Sequence, residues 1–113
     1  MEAFEGLDVW KRSSRLCVTL YRELKDSKAW GFRDQITRSA LSISSNIAEG
    51  YERNSRKEYV QFLRFAKGSC GELRTQLYIG REAGLLDESL ASALIDESGE
   101  ISRMLGAMIA KLS

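Results

Sequence analysis

Several polar side chains that could do acid-base or ligand chemistry are concentrated in one stretch of the chain. Ser42 and Asn46 follow Arg38 at steps of four residues, which places the three on one face of a helix. Glu49 comes soon afterwards, and Glu72 lies on the next predicted helix. Glu49 and Glu72 could be written as a general acid and a general base, but no nucleophile or metal site accompanies them. The alternative, which we prefer, is a structural network that fixes the packing of the helices.

The same stretch is unusual in having no charge between Ser39 and Ala48. A helix with a solvent-exposed face normally carries a charged residue on every turn. We therefore expect this helix to be covered on more than one side. Arg38 should then be buried against carboxylates such as Glu49 or Glu72. On this interpretation, Arg38→Ala would leave buried carboxylates without a partner and lower the free energy of unfolding by about 3 kcal/mol.

A second group of residues could contact phosphate. Basic side chains recur at steps of three and seven residues along the third predicted helix, with one tyrosine among them: Lys57, Arg64, Lys67, Arg74 and Arg81, with Tyr78. We call the five basic residues the basic stripe. A stripe without interleaved carboxylates suits a phosphate backbone, and an aromatic side chain within it could stack on an unpaired base. The alternative is a solvated face that keeps the protein soluble.

Composition excludes several other kinds of site. The 113 residues contain no histidine, so the commonest general base and the commonest metal ligand are both missing. The two cysteines, Cys17 and Cys70, form no CxxC pair and lie among apolar residues, which predicts buried, reduced thiols. We therefore expect no cofactor, no metal and no catalysis. No apolar run is long enough for a membrane span, and the first residues do not form a signal peptide, so we expect a cytoplasmic protein.

The net charge of +1 hides an uneven distribution. Residues 1–81 carry a formal charge of +5, whereas residues 82–113 carry −4. A near-neutral total argues against a dedicated nucleic-acid binder, although repetition of a basic patch in an oligomer would strengthen weak contacts.

The elements that position these residues are helices. Apolar residues recur every three or four positions over about residues 8–26 and about 32–50, then from the Ser55 capping box to a stop near Gly84, and from Leu90 to Leu112. No alternating segment predicts a strand. Asp8, Ser55 and Asp87 are the predicted N-caps, Ser55 within a capping box with Glu58. Gly50 is predicted to end the second helix, and Gly84 the third. The chain should form one all-α domain over residues 1–113, an antiparallel up-and-down four-helix bundle.

Glycine and serine form two seams of small residues that favour close association either of helices or of subunits. Gly68 and Gly71 lie in the third helix, and Ser92, Gly99 and Gly106 follow one heptad stripe on the fourth. A glycine inside a helix costs about 0.5–1 kcal/mol relative to alanine, so packing must compensate for it. We expect both seams to pack within the bundle.

A family resemblance rests on residues in the same region. The motifs run from Phe4 to Trp10, through Gln35-Ile36-Thr37-Arg38-Ser39-Ala40 and Ser45-Asn46-Ile47-Ala48-Glu49-Gly50, to Ala66-Lys67-Gly68-Ser69. In order and spacing the chain resembles the four-helix-bundle proteins encoded within intervening sequences of bacterial 23S rRNA genes. That family resembles in turn the accessory proteins of diversity-generating retroelements, which bind nucleic acid and a reverse transcriptase. The resemblance implies a ring-shaped homopentamer.

These observations favour a non-enzymatic homo-oligomer whose partner is RNA, DNA or a nucleic-acid-handling protein. The alternative is a structural or protein-interaction subunit with no nucleic-acid role. An enzyme built on Arg38, Glu49 and Glu72 ranks third.

Overall fold

The computed structural model describes residues 3–113 as four helices arranged as a bundle. A short 3₁₀ turn, Phe4–Gly6, precedes α1 at Asp8–Leu24, α2 at Trp30–Glu52, α3 at Arg56–Glu82 and α4 at Glu88–Leu112. No strand occurs in this part of the chain. The bundle measures about 42 × 22 × 22 Å. The predicted all-α four-helix bundle is confirmed.

The core is built from the predicted apolar stripes. α3 packs against both α2 and α4, and its buried edge consists of one residue from each successive turn: Leu63, Ala66, Cys70, Leu73 and Leu77. Leu16 and Leu20 of α1 and Ile101 and Leu105 of α4 reach the same core. Among residues 3–113, no helix is both long and apolar enough to cross a membrane.

Two of the three predicted N-caps are confirmed. Ser55 Oγ accepts a hydrogen bond from the backbone N–H of Glu58 at 3.1 Å, and Asp87 Oδ2 accepts one from Leu90 at 2.9 Å. Each side chain thereby satisfies a backbone donor that has no partner within its helix. The prediction for Asp8 was wrong, because Leu7 is the N-cap residue of α1 and Asp8 is already helical.

The prediction that Gly50 ends α2 was also wrong. α2 continues to Glu52, and Gly50 is buried where α2 meets α3. A Cβ atom built on Gly50 would lie 2.7 Å from Cβ of Phe62 and 3.3 Å from the backbone oxygen of Tyr59. The glycine is therefore needed for close approach of two helices. The left-handed conformation occurs instead at Gly84, whose φ of +73° ends α3 as predicted.

The small-residue seam of α4 faces long basic side chains of α3. Arg81 donates a hydrogen bond to Ser92 Oγ at 3.1 Å, and a Cβ on Gly99 would lie 3.3 Å from Nη1 of Arg74. A Cβ on Gly106 would lie 3.4 Å from Cε of Lys67. This seam packs within the bundle, as expected, and makes room for the long side chains of three α3 cations.

The other seam does not pack within the bundle. No atom outside the local backbone lies within 4 Å of a Cβ built on Gly68 or on Gly71. Gly68 is exposed and Gly71 half-buried. The expectation of internal packing was wrong here, because the buried edge of α3 passes through Ala66, Cys70 and Leu73 and turns the glycines outward.

One ion pair joins α1 to α4. Glu97 accepts hydrogen bonds from Arg12 Nε at 2.8 Å and Nη2 at 2.6 Å, and both side chains are about 30% exposed. These hydrogen bonds hold the pKa of Glu97 below its ordinary value. The ion pair therefore stabilises the folded state at neutral pH, and its contribution is lost only as the pH falls through that lowered pKa.

The contrast between Gly50 and Gly68 gives a matched pair of stability predictions. Gly50→Ala should destabilise the protein by about 1–3 kcal/mol, because the methyl group overlaps Phe62. Gly68→Ala should stabilise it by about 0.5–1 kcal/mol, because the new methyl group meets open space and alanine favours the helix. Urea unfolding of both variants would check this, and equal shifts in the same direction would contradict the packing described.

Candidate functional site

The predicted polar network exists in part, but Arg38 does not belong to its buried portion. The Arg38 side chain is exposed, and no carboxylate of the described residues lies within 4.0 Å of its guanidinium nitrogens. The expectation of a buried Arg38 was therefore wrong. The physical reason is that the uncharged run begins at Ser39, so that Arg38 lies at its edge and can extend into solvent.

The two carboxylates expected beside Arg38 have other partners. Glu49 pairs with Arg53 one turn later, at 3.0 Å, and that arginine also reaches Glu58 at 2.9 Å. Glu72 accepts a hydrogen bond from Ser39 Oγ at 3.1 Å, across the α2–α3 boundary.

The hydroxyl and amide members of the network do meet. The Asn46 amide donates to the backbone oxygen of Ser42 at 2.8 Å and to its Oγ at 2.9 Å. Ser42 Oγ also lies 2.9 Å from Ser69 Oγ on α3. Ser42 and Asn46 thus contribute to a hydrogen-bonded line between α2 and α3, which fits the structural interpretation of these two residues.

Beside this line is a cavity of about 350 Å³ at the α2–α3 boundary, which we call the polar pocket. Its lining is entirely polar: Gln35, Arg38, Ser39, Ser42, Glu72 and Gln76. The Oε1 atom of Gln76 is buried and has no hydrogen-bond partner among the described residues. Sequence reasoning missed Gln35 and Gln76. Their spacing was the available signal, since Gln35 lies four residues before Ser39 and Gln76 four residues after Glu72.

The first half of the basic stripe is free of ion pairs. Lys57, Arg64 and Lys67 are exposed, and no carboxylate of residues 3–113 lies within 4.0 Å of their charged groups. Lys57 and Arg64 also line a cavity of about 490 Å³ at the end of the bundle where α3 begins and α4 ends. The remaining lining comes from both helices: Arg56, Val60, Gln61, Leu112 and Ser113.

The second half of the stripe is partly neutralised, which corrects the prediction that it lacks acidic neighbours. Arg81 pairs with Glu82 at 3.3 Å, and its guanidinium lies 5.2 Å from the ring centre of Tyr78. Arg74 shares a cavity with Asp96 and Glu100 of α4. The sequence pattern of α3 alone could not show that α4 brings carboxylates to this side.

An apolar groove lies on another side of the bundle, between α1 and α2. Val18, Tyr21 and Leu41 are each nearly half exposed, at 46%, 48% and 48%. They line a cavity of about 480 Å³ together with Phe4, Trp10 and Ala48. The uncharged stretch of α2 is therefore buried on one side by the bundle and exposed on another, at Leu41 and Ser45.

The titratable groups offer little for catalysis or metal binding. Cys17 and Cys70 are free and buried, as predicted, and burial raises the pKa of Cys70 to about 12, so its thiol stays protonated at neutral pH. No group of three or more metal-ligating side chains comes together within residues 3–113.

Comparison with known proteins identifies a family and a similar solved structure. A family model described as 23S rRNA-intervening sequence protein matches residues 5–107. The chain is also similar to the 1.70 Å crystal structure of a protein of unknown function from the S23 ribosomal protein family of Bacteroides thetaiotaomicron VPI-5482. The two chains are 25% identical, with a TM-score of 0.83, and the similarity covers 89% of this chain and 97% of the other. A search of curated proteins found no match.

The exposed position of Arg38 reverses the stability prediction made for it. Arg38→Ala should change the free energy of unfolding by no more than about 0.5 kcal/mol, as is usual for surface substitutions. Leu73→Ala in the core should cost about 2–5 kcal/mol and serves as the reference. Thermal or urea unfolding would measure both, and a loss near 3 kcal/mol for Arg38→Ala would show that the side chain is buried after all.

Proposed function

The chain belongs to the family of 23S rRNA-intervening sequence proteins, and from this premise we propose that it is a non-enzymatic, self-assembling protein that binds the phosphate backbone of nucleic acid. The observation that carries the proposal is the group of free cations at the start of α3. Lys57, Arg64 and Lys67 lie along one side of a helix, exposed and without ion pairs among the described residues.

Free cations favour phosphate binding because nothing in the protein has to be displaced. A cation that is already paired must give up its carboxylate before it can contact a phosphate, which removes most of the gain. Arg81 is in that position, since it pairs with Glu82. Arg74 forms no ion pair within 4.0 Å among the described residues, but it shares a cavity with Asp96 and Glu100, whose carboxylates would repel a phosphate. We therefore narrow the proposed contact surface to the first half of the basic stripe, with Arg56 beside it.

Self-assembly would compensate for the small number of cations in each subunit. A net charge of +1 gives a single chain only weak long-range attraction to nucleic acid. When several copies are held together, each additional phosphate contact becomes intramolecular, so the copies bind together far more tightly than one copy does. We propose that the assembly is the homopentamer that the family resemblance implies. We also propose that the chain is related to the accessory proteins of diversity-generating retroelements.

The apolar groove supports self-assembly and identifies the surface we propose for it. Val18, Tyr21 and Leu41 form a contiguous exposed apolar patch beside the half-buried Trp10. Patches of this kind mark interaction surfaces, and aromatic residues are enriched there. The same groove also favours the second candidate function, a protein-interaction subunit with no nucleic-acid role.

Assembly can be tested with a charge placed in the groove. Light scattering of the wild type should give five times the 12.7 kDa of one chain. Leu41→Glu should lower that mass, because a carboxylate would be buried in an apolar contact. Leu85→Glu is the matched control, since Leu85 is an exposed leucine in the α3–α4 loop, away from the groove. A wild-type mass of one chain would contradict assembly, and an unchanged mass for Leu41→Glu would contradict this choice of surface.

Nucleic-acid binding can be tested by reversing charges at the start of α3. Wild-type protein should bind a single-stranded oligonucleotide at low salt, with a log–log salt slope of about −0.7 for each phosphate contacted. Lys57→Glu with Arg64→Glu should abolish binding and leave the helical circular dichroism unchanged, because both side chains are exposed.

The control makes the same charge change on α1, with Lys11→Glu and Arg15→Glu, also exposed residues. That variant should keep most of the binding. Retention of binding by the α3 variant, or its loss in the α1 variant alone, would contradict the proposed surface. Absence of binding by the wild type at low salt would favour the protein-interaction alternative.

A further inference from the structure

The outer face of α3 carries two glycines that the fold of a single chain does not explain. A Cβ on Gly68 or Gly71 would meet open space, so neither glycine is needed for packing inside the bundle. Each costs about 0.5–1 kcal/mol relative to alanine. A bare helix surface of this kind lets another backbone approach closely.

The position of Gly68 connects the free cations to the polar pocket. Arg64, Gly68, Glu72 and Gln76 follow one another at steps of four residues, and side chains at this spacing are neighbours on a helix surface. Along this row, the free cation Arg64 is followed by Gly68, which has no side chain, and then by Glu72 and Gln76, which line the polar pocket. At a rise of about 1.5 Å per residue, Glu72 lies about 12 Å along the axis from Arg64, a distance that a short single strand can span.

The polar pocket is complementary to a ligand that has hydrogen-bond acceptors on one side and hydrogen-bond donors on the other. Arg38 has only donors to offer, whereas the carboxylate of Glu72 only accepts. The two residues line the same pocket, yet no nitrogen of Arg38 lies within 4.0 Å of a Glu72 oxygen, which leaves space between them. The buried Oε1 of Gln76 is a further acceptor without a donor.

We propose that the polar pocket binds an unpaired guanine of the strand whose phosphates contact Lys57 and Arg64; this inference rests on the proposed function. Guanine presents O6 and N7 as adjacent acceptors, the pair that an arginine recognises. Its N1–H and N2–H₂ groups are adjacent donors that fit Glu72 and the Oε1 of Gln76. The pocket volume of about 350 Å³ lies within the range of sites that hold small molecules.

The other bases match this arrangement less well. Adenine places an amino group beside N7, where it would face the donors of Arg38, and its N1 acceptor would face the carboxylate of Glu72. Uracil has a single N–H between two carbonyl groups, so it cannot supply two adjacent donors. A guanine in a duplex has its N1–H and N2–H₂ groups already paired, so the site takes a base from a single strand or a loop.

The experiment measures binding of fluorescent single-stranded oligouridine and of the same strand with one central guanine, adenine or hypoxanthine. The full chain should bind the guanine strand about five- to hundredfold more tightly than the oligouridine strand, the discrimination expected of one well-formed bidentate contact. The adenine strand should show no such gain. Hypoxanthine, which lacks the N2 amino group, should fall between the two.

Glu72→Gln should remove the preference for guanine. Its affinity for oligouridine should equal that of a control variant with the same charge change. Glu23→Gln is that control, because it makes the same charge change at an exposed helical position outside the pocket and releases no cation from an ion pair. Glu72 is itself exposed, so the substitution leaves the core intact. Gly68→Ala provides a second variant, which should retain the fold. It should weaken binding of every strand, because the added methyl group keeps the nucleic-acid backbone from approaching α3 closely.

The outcomes separate the two proposals. Salt-dependent binding of oligouridine with equal affinity for all four strands would overturn the guanine site and leave the proposed function standing. Guanine preference that persists in Glu72→Gln would also overturn the site. If Glu72→Gln changes the oligomer mass in light scattering, the pocket belongs to a contact between subunits and the guanine assignment fails. No binding of any strand would overturn the proposed function and this inference together.

Discussion

The packing of α3 between α2 and α4 is the constraint on which the rest of the structure depends. Its buried edge, from Leu63 to Leu77, takes one residue from each turn and so fixes the direction of every other α3 side chain. Gly50 allows α2 to approach so closely that even a methyl group would overlap Phe62. Because α3 is packed on two sides, its outer surface presents the free cations and the two glycines. Its side facing α2 supplies Glu72 and Gln76 to the polar pocket.

Charge is distributed along the chain so that much of it is used internally. The acidic last third of the sequence becomes α4, which lies beside the basic side chains of α3 and also contacts α1. Glu97 binds Arg12, while Asp96 and Glu100 share a cavity with Arg74. Along the basic stripe, Lys57, Arg64 and Lys67 lie outside that cavity and form no ion pair among the described residues. This explains how a chain with a net charge of only +1 keeps a locally basic surface.

Local features of the sequence predicted local features of the structure. The apolar stripes, the caps at Ser55 and Asp87 and the turn at Gly84 each depend on a few neighbouring residues, and all were confirmed. Apart from the N-cap at Asp8, the errors concern contacts between helices. The role of Gly50 depends on Phe62, and the acidic surroundings of Arg74 depend on α4. Neither partner can be identified from spacing within one helix. The polar pocket was half predicted: Arg38, Ser42 and Glu72 were named. Spacing could have added Gln35 and Gln76, but it could not show that the amide oxygen of Gln76 is buried without a donor.

The surfaces proposed for assembly and for nucleic acid lie on different helices, and this separation has a mechanical consequence. The apolar groove belongs to α1 and α2, while the free cations belong to α3. Subunits joined through the groove would keep Lys57, Arg64 and Lys67 in solvent, so assembly and phosphate binding would not compete for the same side chains. Each added subunit would then add its full set of cations. The strength of binding would then grow with the number of subunits and not with the net charge of one chain. A low net charge per chain limits nonspecific attraction to other polyanions.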